Sequence, residues 1–595
     1  MAKTKTIDKN ERFIPVIKTL SKSIREYKKP SILAPIFVAL EVVLECLIPY
    51  IMTRLLGVLD TVNPENLVSE VLKYGALLIG LAFLSLTFGA LSGRFCAVAS
   101  SGFAKNLRRD MFYRIQGFSF SNIDKFSTSS LVTRLTTDVT NVEMSYMMII
   151  RTAVRSPFML IFSMIMSFTL NAKMALIFLC TTPILAVGLV LIMRKAIPFF
   201  NRIFHKYDAM NESVEENVNG IRVVKSYVRE NFEKQKFHKA SDNVKNDFTK
   251  AEKLVALNGP LMNFCVYFGL ISIYVVGSIL IINSRGQLLK WTELQSFMTY
   301  SFQMLMSLMM LSMIMVMIIM SIASAKRISK VLNEEPAIIS PTDPITHVND
   351  GSIEFDNVSF KYSASAEKYA LSNINLKINS GETIGIIGST GSSKTTLVNL
   401  IARLYDVNEG EVKVGGINVK EYDVTTLRNA VSVVLQKNVL FSGSLRDNMK
   451  WGDENATDEE IMHALKLAQI DTFNLDKHIE QGGANVSGGQ KQRLCIARAL
   501  LKKPKILILD DSTSAVDTKT DALIRKSFKE FIPATTKLII AQRVASIEDA
   551  DKIIILDNGK IQAIGNHNSL LKDNEIYQEL YYSQNKIKKE GAING

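Results

Sequence analysis

The chain has 595 residues, 47% of them hydrophobic, and a mean hydropathy of +0.15. That is too long for one core, since single cores stop growing near ~250–300 residues, and too apolar for an ordinary soluble protein. The net charge of +13 sits in loops and tails flanking apolar runs, which points to membrane-adjacent segments and away from a nucleic-acid partner.

Residues 1–30 carry Lys3, Lys5, Lys9, Arg12, Lys18, Lys22, Arg25, Lys28 and Lys29, which predicts a cytoplasmic N-terminal segment. It lacks the short apolar core and small-residue cleavage site of a secretory signal, so the first span is expected to remain as an anchor. Six apolar stretches follow, at 32–52, 74–97, 157–170, 174–193, 261–282 and 297–323. The third is short for a span of ~20 residues and is expected to begin nearer Met147. Together they predict an α-helical membrane domain over 31–328. Six spans return the chain to the side on which it started.

The connections alternate. Asp60, Asn63, Pro64 and Glu65 make a short acidic link suited to the outside, and Asn171 to Lys173 barely separate spans three and four. About fifty residues lie between spans two and three and about sixty between four and five, rich in Lys and Arg with helical periodicity. At 1.5 Å per residue, ~20 extra helical residues carry a span ~30 Å beyond the bilayer. Glu41 and Glu45, at i and i+4 in the first span, share a helix face. Carboxylates there either attract a cationic cargo or are simply accommodated, hydrogen bonded between helices or wet within a cytoplasm-facing cavity, and the second reading is preferred. Nine methionines between Met298 and Met320 suit packing, with a lining role open to some of them. Cys46, Cys96, Cys180, Cys265 and Cys495 form no metal-type spacing and read as small buried hydrophobes.

Prolines 336, 341 and 344 mark a linker over 329–351. A strand-and-helix alternation then predicts an α/β domain over 352–586, with a tail at 587–595. Ile384 to Ile387 reads as a buried strand and Thr396 onward as a helix. Between them stand Gly388, Ser389, Thr390, Gly391, Ser392, Ser393, Lys394 and Thr395. Strand, glycine-rich loop and helix are the setting of a P-loop: backbone N–H groups cradle phosphates, Lys394 reaches the β- and γ-phosphates of ATP and the Thr395 hydroxyl meets Mg²⁺. Ser393 departs from the motif, which has Gly there. Ile506 to Leu509 is a second buried strand, ending in Asp510, a ligand for Mg²⁺. Asn485-Val486-Ser487-Gly488-Gly489-Gln490 follows the loop by roughly a hundred residues.

The P-loop together with Ser487-Gly488-Gly489-Gln490 resembles the ATP-binding cassette (ABC) family, and the long hairpins resemble its type I exporters. The resemblance implies a six-helix membrane domain fused to an α/β P-loop ATPase domain. It implies coupling helices near residues 119–130 and 215–228, adenine stacking by Tyr362, and a metal and interdomain role for Gln436. Thr396 extends the nucleotide site, and Asp517 crosses between two ATPase domains. Ser487, Gly488, Gly489 and Gln490 would contact ATP held by the opposite subunit.

Two positions depart from the family. Asp511 stands where it has the catalytic Glu, and Gln542 where it has the switch His. The resemblance therefore implies the degenerate half of a heterodimer, whose partner is a homologous half-transporter with both residues intact. It also implies a multi-pass protein of a bacterial plasma membrane, with both termini cytoplasmic, that moves small amphipathic compounds in contact with membrane lipid. A homodimeric lipid or peptide exporter and a non-transporting ATP-binding regulator are the alternatives.

Overall fold

A computed structural model describes residues 13–59, 64–363, 366–471 and 474–585. The basic residues Lys3, Lys5, Lys9 and Arg12, the start of the acidic link (60–63) and the tail at 587–595 lie outside the described residues. The chain forms two compact units: residues 1–116 with 128–334, and residues 117–127 with 335–595. The short segment between spans two and three thus belongs with the second unit.

The first unit is helical. Helix α1 (Phe13–Ser21) precedes α2 (Lys28–Leu59) and α3 (Pro64–Gln116). Helix α4 (Phe120–Lys125) belongs to the other unit. Then come α5 (Thr128–Thr133), α6 (Val139–Ile150), α7 (Thr152–Leu170), α8 (Ala172–Asn219), α9 (Ile221–Ser226), α10 (Glu230–Val255), α11 (Asn258–Ser284) and α12 (Trp291–Asn333). Among the described residues six helical segments are long and apolar enough to cross a membrane. At 53 and 48 residues, α3 and α8 far exceed the ~20 that a bilayer needs.

The third span extends further back than its hydropathy indicates. It runs from Thr128 to Leu170, through a π-helical turn at Arg134–Asp138 and a backbone break at Arg151 (φ −112°, ψ −69°). Two arginines, Arg151 and Arg155, interrupt the apolar run there. The bundle core joins α8, α11 and α12 through Met174, Phe178, Ile273, Phe297, Tyr300 and Met304. Tyr300 donates to the Cys46 carbonyl at 2.8 Å, tying α12 to α2. Four cysteines are buried, but Cys180 is exposed, a correction to the expectation. It falls on the side of α8 that the other helices of the bundle leave uncovered. Met304 is buried, whereas Met306, Met310, Met313 and Met320 are exposed along α12.

The second unit holds two main sheets. Strands β1 (Ile353–Phe360), β2 (Leu371–Ile378), β4 (Glu409–Val414) and β5 (Ile417–Asn418) pair antiparallel in the order β2-β1-β4-β5. The larger sheet contains β3 (Thr383–Ile387), β6 (Val431–Val434), β9 (Ile506–Asp510), β10 (Thr536–Ile540), β11 (Lys552–Asp557) and β12 (Lys560–Gly565). Its order is β12-β11-β3-β10-β9-β6, parallel except for β12. The short β7 (Gly443–Ser444) and β8 (His478–Ile479) pair with each other. Strands β3, β6, β9 and β10 are almost wholly buried and rich in Ile, Leu and Val, with Thr536 and Lys537 opening β10, as a sheet covered on both faces requires.

Candidate functional site

In an open parallel sheet, ligands collect beyond the carboxyl ends of the strands, and the chemistry-bearing residues are there. Strand β3 leads into Gly388, β6 into Gln436, β9 ends on Asp510 with Asp511 next, and β10 leads into Gln542. Four strands far apart in the sequence thus deliver one constellation.

The phosphate loop wraps its own lysine. Lys394 Nζ donates to the Gly388 carbonyl at 2.9 Å, to the Ser389 carbonyl at 2.8 Å and to Ser392 Oγ at 3.3 Å. Burial pushes the Lys394 amine down, opposed by the Asp510 and Asp511 carboxylates. Gly388 is obligatory, because a Cβ there would lie 1.9 Å from the Leu556 carbonyl oxygen. Gly391 and Ser393 both lie in the left-handed region, at φ +84° and +73°, so the serine occupies a conformation suited to glycine. Ser389 Oγ donates to Asp557 at 2.9 Å, Thr390 lies at the loop turn, and Thr396 is buried.

Thr395 Oγ1 donates to Asp510 Oδ2 at 2.9 Å. Asp510 is 3% exposed and burial raises its carboxyl, with the Thr395 bond opposing. One hydroxyl and one carboxylate fit a Mg²⁺ that keeps its remaining coordination for phosphate oxygens and water. No group of three or more His, Cys, Asp or Glu side chains able to hold a metal occurs among the described residues.

Asp511 is held by amides. Gln542 Nε2 donates to Asp511 Oδ2 at 2.8 Å. Burial raises the Asp511 carboxyl, with the neighbouring Gln436 and Gln542 amides opposing. Its φ of +50° is a strained, left-handed conformation of the kind that gathers at functional sites.

The signature residues build a helix start rather than joining the loop. Ser487 caps the helix Gly488–Leu501 in a capping box with Gln490: Ser487 Oγ accepts from the Gln490 N–H at 3.3 Å, and Gln490 Oε1 accepts from the Ser487 N–H at 3.1 Å. Gly489 lies so close to the Ala515 carbonyl that a Cβ would come within 2.8 Å, and Gly488 lies beside Ala515. Gln492 bonds to Ser514 and to the Ala515 N–H at 3.1 and 2.9 Å, fixing this helix to the segment after Asp511. Asp517 caps the helix Thr518–Phe531 through the Thr520 N–H at 2.9 Å, which lowers its carboxyl.

Tyr362 is half exposed and its hydroxyl lies 2.8 Å from Thr396 Oγ1. Its ring stands edge-on to Tyr405, centroids 5.2 Å apart. Tyr405 donates to Asp124 of α4 at 2.6 Å and meets the Phe120 ring edge-on. Burial and the Asp124 carboxylate push the Tyr405 phenol up, so it remains a donor. Asn122 accepts from the Ala337 N–H and donates to the Glu335 carbonyl, both at 2.9 Å. Sequence reasoning named the segment that holds Asn122 without giving that residue a role, and missed Tyr405; an aromatic residue in a loop carries no periodic signal.

In the membrane unit, Glu41 and Glu45 converge on Arg155 of α7. Arg155 Nη1 donates to Glu41 Oε1 at 2.7 Å, and Nη2 to both Glu45 oxygens at 2.9 and 2.7 Å. The carboxylates are thus bonded between helices. Gly89 makes room, since a Cβ there would stand 3.0 Å from Glu41 Oε1.

A membrane-crossing helical bundle carried on one chain with a P-loop ATPase fold defines a nucleotide-driven membrane transporter. Residues 31–308 match the ABC transporter transmembrane region and residues 371–514 match the ABC transporter family; the chain belongs to the ABC transporters, as an exporter half-transporter with an ATP-binding domain. It is similar to the uncharacterized ABC transporter ATP-binding protein YfiB of Bacillus subtilis, with 34% identity covering 95% of this chain and 98% of that one. An uncharacterized ABC transporter ATP-binding protein of Mycobacterium tuberculosis is 32% identical over 96% and 99%. An ATP-dependent lipid A-core flippase of Desulfotalea psychrophila is 32% identical over 81% and 84%.

Proposed function

We propose that this chain is the degenerate half of a heterodimeric exporter that moves amphipathic or hydrophobic compounds outward across a bacterial plasma membrane. One observation carries the reading: Asp511 is bonded to Gln542, where the family pairs Glu with His. Asp511 is a carboxylate, as the family's Glu is, so chemical type is not what it lacks. Reach is: the side chain is one methylene short of Glu, and a ~1 Å misplacement costs ~10²-fold in rate. Gln542 can donate a hydrogen bond to a γ-phosphate but brings no positive charge to it.

Bound MgATP would supply the free energy for the export cycle. Lys394 and the loop N–H groups hold phosphate, Thr395 and Asp510 hold the metal, and Tyr362 orients the base. Ser487 to Gln490 complete the active site of a homologous partner that has Glu and His at the two positions, with Asp517 crossing between the ATPase domains. Glu41 and Glu45, already paired with Arg155, are not offered as a cation-attracting site. A lipid cargo is the second reading, favoured by the similarity to the lipid A-core flippase.

The test is ATP binding and ATP turnover measured on one sample of the purified chain in lipid. Binding without appreciable turnover, with turnover gained by the Asp511→Glu, Gln542→His double variant, is the expected result. Brisk turnover by the unmodified chain alone would replace the heterodimer with a homodimer.

A further inference from the structure

The ATPase unit contains a second cavity, of about 340 Å³, walled by the helix Thr518–Phe531 and by β10. Lys537 lines it. It stands five residues before Gln542, so about 16 Å of extended chain, at ~3.3 Å per residue, separates this cavity from the nucleotide site.

Lys537 is an unusual occupant. Strand β10 is central, between β3 and β9, with all five residues buried, and Lys537 is 4% exposed. Lysines are almost never so buried unless paired. Among the described residues its ammonium makes no hydrogen bond and no ion pair. Burial pushes its amine down; Asp551 opposes this, but Asp551 Oδ2 already accepts from the Thr383 N–H at 2.8 Å.

The surrounding charges give it no salt bridge among the described residues. Arg525 is taken by Asp549 at 2.6 Å and by Asp521 at 3.6 Å, and Lys526 reaches Glu530 at 3.8 Å. Lys529, exposed at the rim, has no ion-pair partner among the described residues. Lys537 and Lys529 therefore line one cavity without a salt bridge among the described residues, with Arg525, Lys526 and the Asp549 carboxylate also in its wall, beside an apolar side of Phe528, Ile539 and Ile547.

We propose that this cavity binds a small phosphorylated molecule, its phosphate seated between Lys537 and Lys529 and its apolar body against Phe528, Ile539 and Ile547. A phosphate monoester carries about −1.5 to −2 charge near pH 7, which two ammonium groups match and a single carboxylate does not. The cavity lies within the ~300–1,000 Å³ range of small-molecule sites.

The experiment uses the full chain in a maltoside detergent, which contributes no phosphate, with saturating ATP and EDTA to fill the nucleotide site. Phenyl phosphate is titrated and followed by ³¹P NMR line broadening. The wild-type chain is expected to bind it, and Lys537→Met to weaken it by about tenfold or more with ATP affinity unchanged. No binding by the wild type at millimolar concentrations, or unchanged affinity in a Lys537→Met chain that still binds ATP, would overturn the proposal. If Lys537→Met fails to fold, Lys529→Gln at the rim decides: weaker binding supports the site and unchanged binding removes it.

Discussion

Ser393 holds a left-handed backbone at φ +73°, directly before the lysine that defines the phosphate loop. A Cβ in that region costs ~1–2 kcal/mol, and Ser393 has no side-chain capping bond to offset it. The loop keeps its shape because Lys394 is bonded to two of its carbonyls and to Ser392. Ser393→Gly removes the clash and also loosens the unfolded chain, which takes back part of the gain. A net stabilisation of the ATPase domain by about 0.5–1 kcal/mol is therefore expected. Denaturant titration of the nucleotide-free protein reads it directly. ATP affinity should stay within about twofold, because the groups that touch phosphate are backbone N–H and Lys394.

At the scale of elements, the cluster of Glu41, Glu45 and Arg155 fastens α2 to α7. Breaking a buried ion cluster from one side costs ~3–5 kcal/mol, and less for a partly buried one such as this, with the Arg155 side chain 32% exposed, whereas replacing all members by neutral groups is often tolerated. Arg155→Met should accordingly lower the thermal midpoint in detergent by more than the triple variant Glu41→Gln, Glu45→Gln, Arg155→Met, as read by scanning fluorimetry. Equal losses would mean that the charges do not interact energetically. This cluster also marks the limit of sequence reading. The two glutamates stood out as i, i+4 neighbours, but Arg155 lies 110 residues beyond Glu45, and no local pattern links them. Arg151 and Arg155 also made the third span look short, because hydropathy counts each as a breaker whether or not the fold neutralises it. Six spans and the strand–loop–helix setting of the P-loop were legible, since period and composition are local. Tyr405 against Asp124, and Lys537 within a strand otherwise rich in Ile and Leu, were not.

For the whole molecule, the heterodimer reading makes the two ends of the ATPase site unequal in consequence. On that reading Lys394, Asp510 and Asp511 would serve the site this chain builds with its own P-loop, and Ser487 to Gln490 would serve the partner's. Among the described residues the hydrogen bonds of Ser487 and Gln490 run to each other and not to the phosphate loop. In a mixed pair with a homologous half that has Glu and His, Ser487→Arg is expected to abolish most turnover, by about 10²-fold or more, because it disturbs preorganised contacts to the transferring phosphoryl group. Asp511→Asn in the same pair should change turnover by less than about twofold, because the degenerate site contributes little hydrolysis to lose. The measurement is steady-state phosphate release from the purified pair, with ATP binding at both sites checked on the same variants. A homodimer would invert the pattern, since Asp511 would then be the catalytic group of both sites and its loss would be as damaging as that of Ser487.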